Sequence, residues 1–269
     1  MSEFLLNFDM RHLAELDQFA LLACQAYNYG NSTDWFGCFR GGIHGVYARL
    51  AAVRRHYDEV HAWIPAPRVP TDAEYHLAAI FFNMDSAIEC MTFALNALGN
   101  PVAVTEFRDV TDERSLRRIS PLDVLGDPSR NPPLNGLEGF VNYFPTLQLH
   151  WQNNRSLIQR IVDQHDVSKH RETIFQGGRV RDDAPAGFYE GMGVANDDER
   201  KWQFQPMAEI ILHPNPKSPK VTRAPTPVEE QIHLEPMATS FCDFMNNSAQ
   251  CAFADAKAKI NLTHDEFQR

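Results

Sequence analysis

Between Leu77 and Leu98, apolar side chains recur every three or four residues without a gap: Leu77, Ile80, Phe81, Met84, Ile88, Met91, Leu95 and Leu98. That period is helical, and Gly99 followed by Pro101 supplies a stop. Ala78, Phe82, Cys90 and Phe93 widen the stripe. A helix apolar over so much of its circumference needs neighbours on several sides, so it predicts a central helix inside a helical bundle. Thr71 or Asp72 offers its N-cap.

Other segments carry the same signature. Leu13, Leu16, Ala20, Ala23 and Tyr27 form a first helix, which a loop rich in Gly, Asn and Ser over 30–45 is expected to end. Within that loop, Arg40-Gly41-Gly42-Ile43-His44-Gly45 reads as a flexible turn, and Trp35, Phe36 and Phe39 as a plug on the core. Val46, Leu50, Val53, Tyr57, Val60 and Ile64 make a second helix, stopped by Pro65. A fourth stripe follows Pro145 through Leu147, Trp151, Asn154, Ile158, Ile161 and His165. The last runs from about Met237 through Phe241, Phe244, Met245, Ser248 and Ala252 to Ile260. A short helix fits 112–119, and 123–139 reads as loop.

Prolines crowd the 206–236 stretch and forbid a long helix there. Ala208 to His213 has strand character, and Glu230 to Glu235 is a candidate partner. The expected architecture is mainly α: a helical bundle of about five long helices with a small β-hairpin excursion before the C-terminal helix. The 269 residues are read as a single helical domain, with the Pro-rich β/loop excursion at about 200–236.

Thirty-five acidic against 25 basic residues give a net charge of -10, which works against indiscriminate nucleic-acid binding and argues for no DNA partner. By this reading no apolar run approaches the roughly 18 residues of a membrane span. No basic leader with a cleavage site opens the chain. Both point to a cytoplasmic protein with no membrane partner. Five cysteines, an odd number with no C-x-x-C pair, fit reduced thiols packed as small hydrophobes. Phosphate-loop, dinucleotide, nucleophile-elbow and H-E-x-x-H signatures are absent from the sequence, so no cofactor and no metal are expected.

Two groups could carry chemistry. Asp85 and Glu89 stand four residues apart on the central helix, where two carboxylates can act as acid and base or pair with a cation from another helix. Lys169, His170 and Arg171 follow the fourth stripe, three consecutive donors suited to a carboxylate or phosphate, or to offsetting the dipole of their own helix end. If His165 projects inward, it reaches the same place. Asp85, Glu89, Lys169, His170 and Arg171 are therefore the candidate ligand-binding set.

Arg160-Ile-Val-Asp-Gln-His165, late in a long helix, resembles the Arg-x(4–6)-His motif of the HEPN family of helical domains. Ile161 departs from that pattern, where Asn, Asp or His usually follows the Arg. Arg55-His56, leading to His61, is similar to it locally. The resemblance implies a four-to-five-helix bundle, often dimeric, in which the Arg and His cut RNA without metal; some relatives only bind. The acid-x-x-His turns at Asp58 to His61 and Glu230 to His233 have half of a di-iron pattern, but the second lies among prolines.

The sequence thus predicts a soluble binding or interaction module without an identifiable catalytic apparatus. A protein partner or self-association is its expected mode. The alternative is a HEPN-like endoribonuclease using Arg160 and His165, with RNA as partner only on that reading.

Overall fold

A computed structural model describes residues 6–27, 34–63, 70–127, 136–170, 175–180, 207–212 and 232–260. Among these the chain is mainly helical. Its helices are α1 (Arg11–Tyr27), α2 (Asp34–Trp63), α3 (Pro70–Gly99), α4 (Glu113–Leu116), α5 (Pro121–Leu125), α6 (Glu138–Tyr143), α7 (Pro145–Asn153), α8 (Arg155–His170) and α9 (Leu234–Lys259). Three short strands, β1 (Phe175–Val180), β2 (Met207–Leu212) and β3 (Ile232–His233), form an antiparallel sheet in the order β1-β2-β3. In the second pairing Ile211 lies opposite His233 and Leu212 opposite Ile232. Most of the Pro-rich stretch lies outside the described residues.

The chain divides into two compact units. The first comprises Met1–Leu6, Ala51–Asp85 and Leu157–Phe241; the second comprises Asn7–Leu50, Ser86–Ser156 and Cys242–Arg269. In the first, Val53, Tyr57 and Val60 of α2, Leu77, Ile80, Phe81 and Met84 of α3, Ile158 and Ile161 of α8, and Phe241 of α9 are buried. In the second, the buried set includes Leu13 and Leu16 of α1, Trp35, Phe39 and Ile43 of α2, and Met91 and Leu95 of α3. The stripe read from sequence on α3 is therefore interior along its whole length. Tyr75–Gly99 is in fact long and apolar enough to cross a membrane by length and composition, contrary to the reading that no run comes close. Asn83, Asp85 and Glu89 punctuate it without offsetting the surrounding Phe, Met, Ile and Leu.

The largest departure from expectation is the segment read as a Gly-rich loop. α2 begins at Asp34, so Gly37, Gly41, Gly42 and Gly45 are helical and Trp35 and Phe39 are buried in its first turns. Glycine in a helix interior costs about 0.5–1 kcal/mol relative to alanine, which is why the segment reads as loop. Contact with α3 outweighs that cost. A Cβ on Gly42 would stand 2.8 Å from the Ala94 Cβ and 2.9 Å from both the Ala94 nitrogen and the Cys90 carbonyl oxygen. A Cβ on Gly45 would stand 2.7 Å from the Cys90 sulfur. The two helices meet backbone to backbone where α2 has no side chains.

Two further corrections concern helix ends. The fourth stripe is two helices, because α7 ends at Asn153 and the N–H of Asn154, its C-cap, is shared between the carbonyls of His150 and Trp151. At its other end α7 is capped from α9: the buried Asp255 carboxylate accepts the Leu147 N–H at 3.0 Å. Trp151 donates to Ser248 at 2.9 Å, and His150 stacks on Phe244. The segment read as loop from Asp123 instead contains the end of α5 and the start of α6. Ser120 and Asp123 form a capping box at α5, so two backbone N–H groups find partners without a longer helix.

All five cysteines are free thiols, and burial pushes each of them up, Cys242 to about 12. Such thiols are poor nucleophiles at neutral pH.

Candidate functional site

α3 is so apolar on its inner face that a carboxylate there needs a partner, and Asp85 has one. His165 of α8 donates from Nδ1 to the Asp85 Oδ2 at 2.6 Å, and both side chains are only 12% exposed. The helical period places His165 on the inward stripe with Ile158 and Ile161, which are buried. Phe82, one turn before Asp85 on α3, meets the His165 ring edge to face at 5.4 Å and is 42% exposed. The three side chains form a polar pair within the first unit, with an aromatic ring at its solvent edge.

A carboxylate on Nδ1 fixes the imidazole's orientation and its tautomer. When the ring is neutral, its proton is on Nδ1 and Nε2 is the basic nitrogen. When it is charged, the pair is an ion pair and Nε2–H is a donor. In either state the contact with Asp85 fixes the ring's orientation beside Phe82.

The other candidates fall elsewhere. Glu89 is exposed and belongs to the second unit, so one turn of α3 separates a buried carboxylate from a solvated one. Lys169 and His170 are the last residues of α8, but their side chains, and Arg171 entirely, lie outside the described residues. Arg160 is exposed. Five residues of helix turn it about 140° from His165, so the two do not share a face.

The sequence missed a second histidine pair. His56 of α2 and His76 of α3 meet Nδ1 to Nδ1 at 2.9 Å. Their ring centroids are 5.2 Å apart, as for rings meeting nitrogen to nitrogen along one line. That is the geometry of one N–H donating to one lone pair, so the bond tolerates at most one added proton. No spacing within either helix signals the contact, because the partners come from different helices. Burial, then the charges of His76 and Arg55, hold His56 below the usual histidine range, with Glu59 pulling the other way. With the folded-state value depressed, the unfolded chain binds its proton first as pH falls. Stability is thus complete above about pH 6.5 and declines as pH drops through the folded-state value. The expected result is a melting temperature lower at about pH 5 than at about pH 7.5, with the drop reduced in His56→Gln. An equal drop in parent and variant would assign it to other groups.

Among the described residues no three His, Cys, Asp or Glu side chains converge as a metal site. No family profile, no curated protein and no solved structure matches this chain.

Proposed function

We propose that this chain is a binding module built on five long helices, with a β excursion before the last of them, and that Asp85, His165 and Phe82 are the centre of its binding face. The observation that carries this is the 2.6 Å bond from His165 to Asp85 at the edge of an otherwise apolar interior. Burying a polar pair is costly compared with an apolar contact, and such pairs are retained where orientation matters. The exposed Phe82 ring beside it supplies contact area, and the imidazole a directional hydrogen bond. Lys169, His170 and Arg171 follow in the sequence and would add positive charge for an anionic partner, whether a ligand, another protein or a second copy of the chain. The cytoplasm is the compartment this reading assumes.

The test is a thermal-shift screen of small polar and anionic compounds against the parent, His165→Gln and Phe82→Ala. Compounds that raise the parent's melting temperature and lose the effect in both variants support the reading. Hits that shift all three proteins equally would place binding elsewhere and remove it.

A second reading, a HEPN-like metal-independent endoribonuclease, draws support from the same bond, since an Asp-oriented histidine suits general acid–base work. It expects single-stranded RNA to be cut in the presence of chelator, with the activity lost in both His165→Ala and Arg160→Ala. Cleavage unchanged in His165→Ala would end it.

A further inference from the structure

A cavity of about 530 Å³ opens in the second unit beside α5, lined in part by Arg108, Arg118, Ser120, Asp123 and Asp127. We infer that this cleft is a binding site for a small molecule bearing an oxyanion, a phosphate or a carboxylate, gripped by Arg108 and Arg118. It is separate from the Asp85–His165 pair and does not depend on the reading given for it.

The argument rests on how Arg108 is held. Asn96 of α3, wholly buried, accepts the Arg108 N–H at 2.9 Å and donates back to its carbonyl at 3.0 Å. Asn100, also buried, donates to the same carbonyl at 3.2 Å. The buried Asp123 carboxylate takes the guanidinium itself, 2.7 Å from Nη2 and 3.4 Å from Nε. Three buried polar side chains therefore fix one residue at both ends. The neighbouring Phe107 is itself buried, so the loop has an apolar anchor in addition to these polar contacts.

Asp123 engages two of the five guanidinium N–H donors, and Arg108 forms no other side-chain hydrogen bond among the described residues. The side chain is 32% exposed, so the remaining donors are partly desolvated, where an anion is bound more strongly than at an open surface. Asp123 is itself locked. It also accepts from the Ser120 backbone, and its carbonyl accepts the Leu137 N–H at 2.8 Å. Gly136, at φ 95°, closes that turn with no room for a Cβ, which would stand 2.8 Å from the Asp123 carbonyl oxygen. The wall holding the arginine is thus rigid, and preorganised donors lose little entropy on binding. Arg118 supplies a second cation on the same cavity, and Asp127 an acceptor for hydroxyl or amine groups of the ligand. The volume exceeds that of a bare oxyanion and matches a small metabolite.

The full chain is titrated with inorganic phosphate, and separately with glucose 6-phosphate, against sodium chloride at equal ionic strength, with melting temperature and calorimetric heat as readouts. Phosphate is expected to stabilise more than chloride, with glucose 6-phosphate binding more tightly. Arg118→Gln is expected to weaken both ligands by about fivefold or more, and Arg108→Lys, which keeps the charge but not the fork, by more. Phosphate no better than chloride, or affinities unchanged in Arg118→Gln, would overturn the inference. Equal affinity for phosphate and the sugar phosphate would mean an adventitious ion only, and also overturns it. If Arg108→Lys does not fold, Arg118→Gln decides alone, since its side chain is exposed.

Discussion

Replacing Gly42 with alanine is expected to lower the melting temperature by several degrees, while the same change one residue earlier, Gly41→Ala, raises it. The added methyl at Gly42 meets backbone atoms of α3, the Ala94 nitrogen and the Cys90 carbonyl, both at 2.9 Å. Backbone cannot rotate out of the way, so α2 and α3 must move apart and the seam loses packing. Overpacking of this kind costs about 1–3 kcal/mol. The offsetting gain in helix propensity is about 0.5–1 kcal/mol. At Gly41 no atom lies within 4 Å of the added carbon, so only the gain remains. Gly45→Ala should fall between them, because its nearest neighbour is the movable Cys90 sulfur, at 2.7 Å. For a chain of this size each kcal/mol moves the midpoint by about 2–4 °C. Denaturant melts of the three variants check the order, and Gly42→Ala as stable as Gly41→Ala would refute the close approach.

The same contact explains what could be read in advance. Apolar periodicity marks a helix whenever the buried surface is made by side chains, as on α3, where Leu77 to Leu98 is interior throughout. At Gly42 and Gly45 burial is achieved by omitting side chains, and omission looks like a turn in a single sequence. The pattern becomes informative only once Ala94 and Cys90, themselves small, are known to lie opposite. The break at Asn154 was illegible for a different reason: its two flanking helices keep the same inward phase, so Trp151 and Ile158 are both buried and the stripe continues across the interruption. α5 escaped because its stabilising groups, Ser120 and Asp123, are residues that equally favour loops.

Candidate sites divide along the same line. Asp85 stood out because a carboxylate on an apolar helix must be paired or solvated, and that conflict is visible within one helix. Glu89 carries the same local signal, yet it is exposed, because the helix turns through a further increment and the neighbouring surface changes. Arg108 gave no signal at all. Its importance derives from Asn96, Asn100 and Asp123, which are 8–15 residues away in sequence and converge only after the chain has turned back from α3.

Removing the Asp85 carboxylate is expected to destabilise the first unit strongly. Asp85→Ala leaves the His165 Nδ1–H without its acceptor at a position 12% exposed, and if the ring is charged it also strands that charge. Breaking a buried pair costs about 3–5 kcal/mol, and the residual exposure here brings the expectation to about 2–4 kcal/mol. Asp85→Asn keeps an acceptor oxygen without the charge, so it should lose clearly less. The double variant Asp85→Leu/His165→Leu removes both polar groups together, and should recover much of the loss, since an apolar contact can replace a buried polar pair at little net cost. The parent, Asp85→Leu, His165→Leu and the double variant form a coupling cycle that measures the pair's interaction. A large loss in Asp85→Ala with recovery in the double variant identifies the pair as a unit that stability alone does not require. A reason for keeping two polar groups there must then be sought in what binds beside Phe82. If Asp85→Ala melts with the parent at an unchanged denaturant slope, the carboxylate is solvated in solution, and the binding face proposed around it fails.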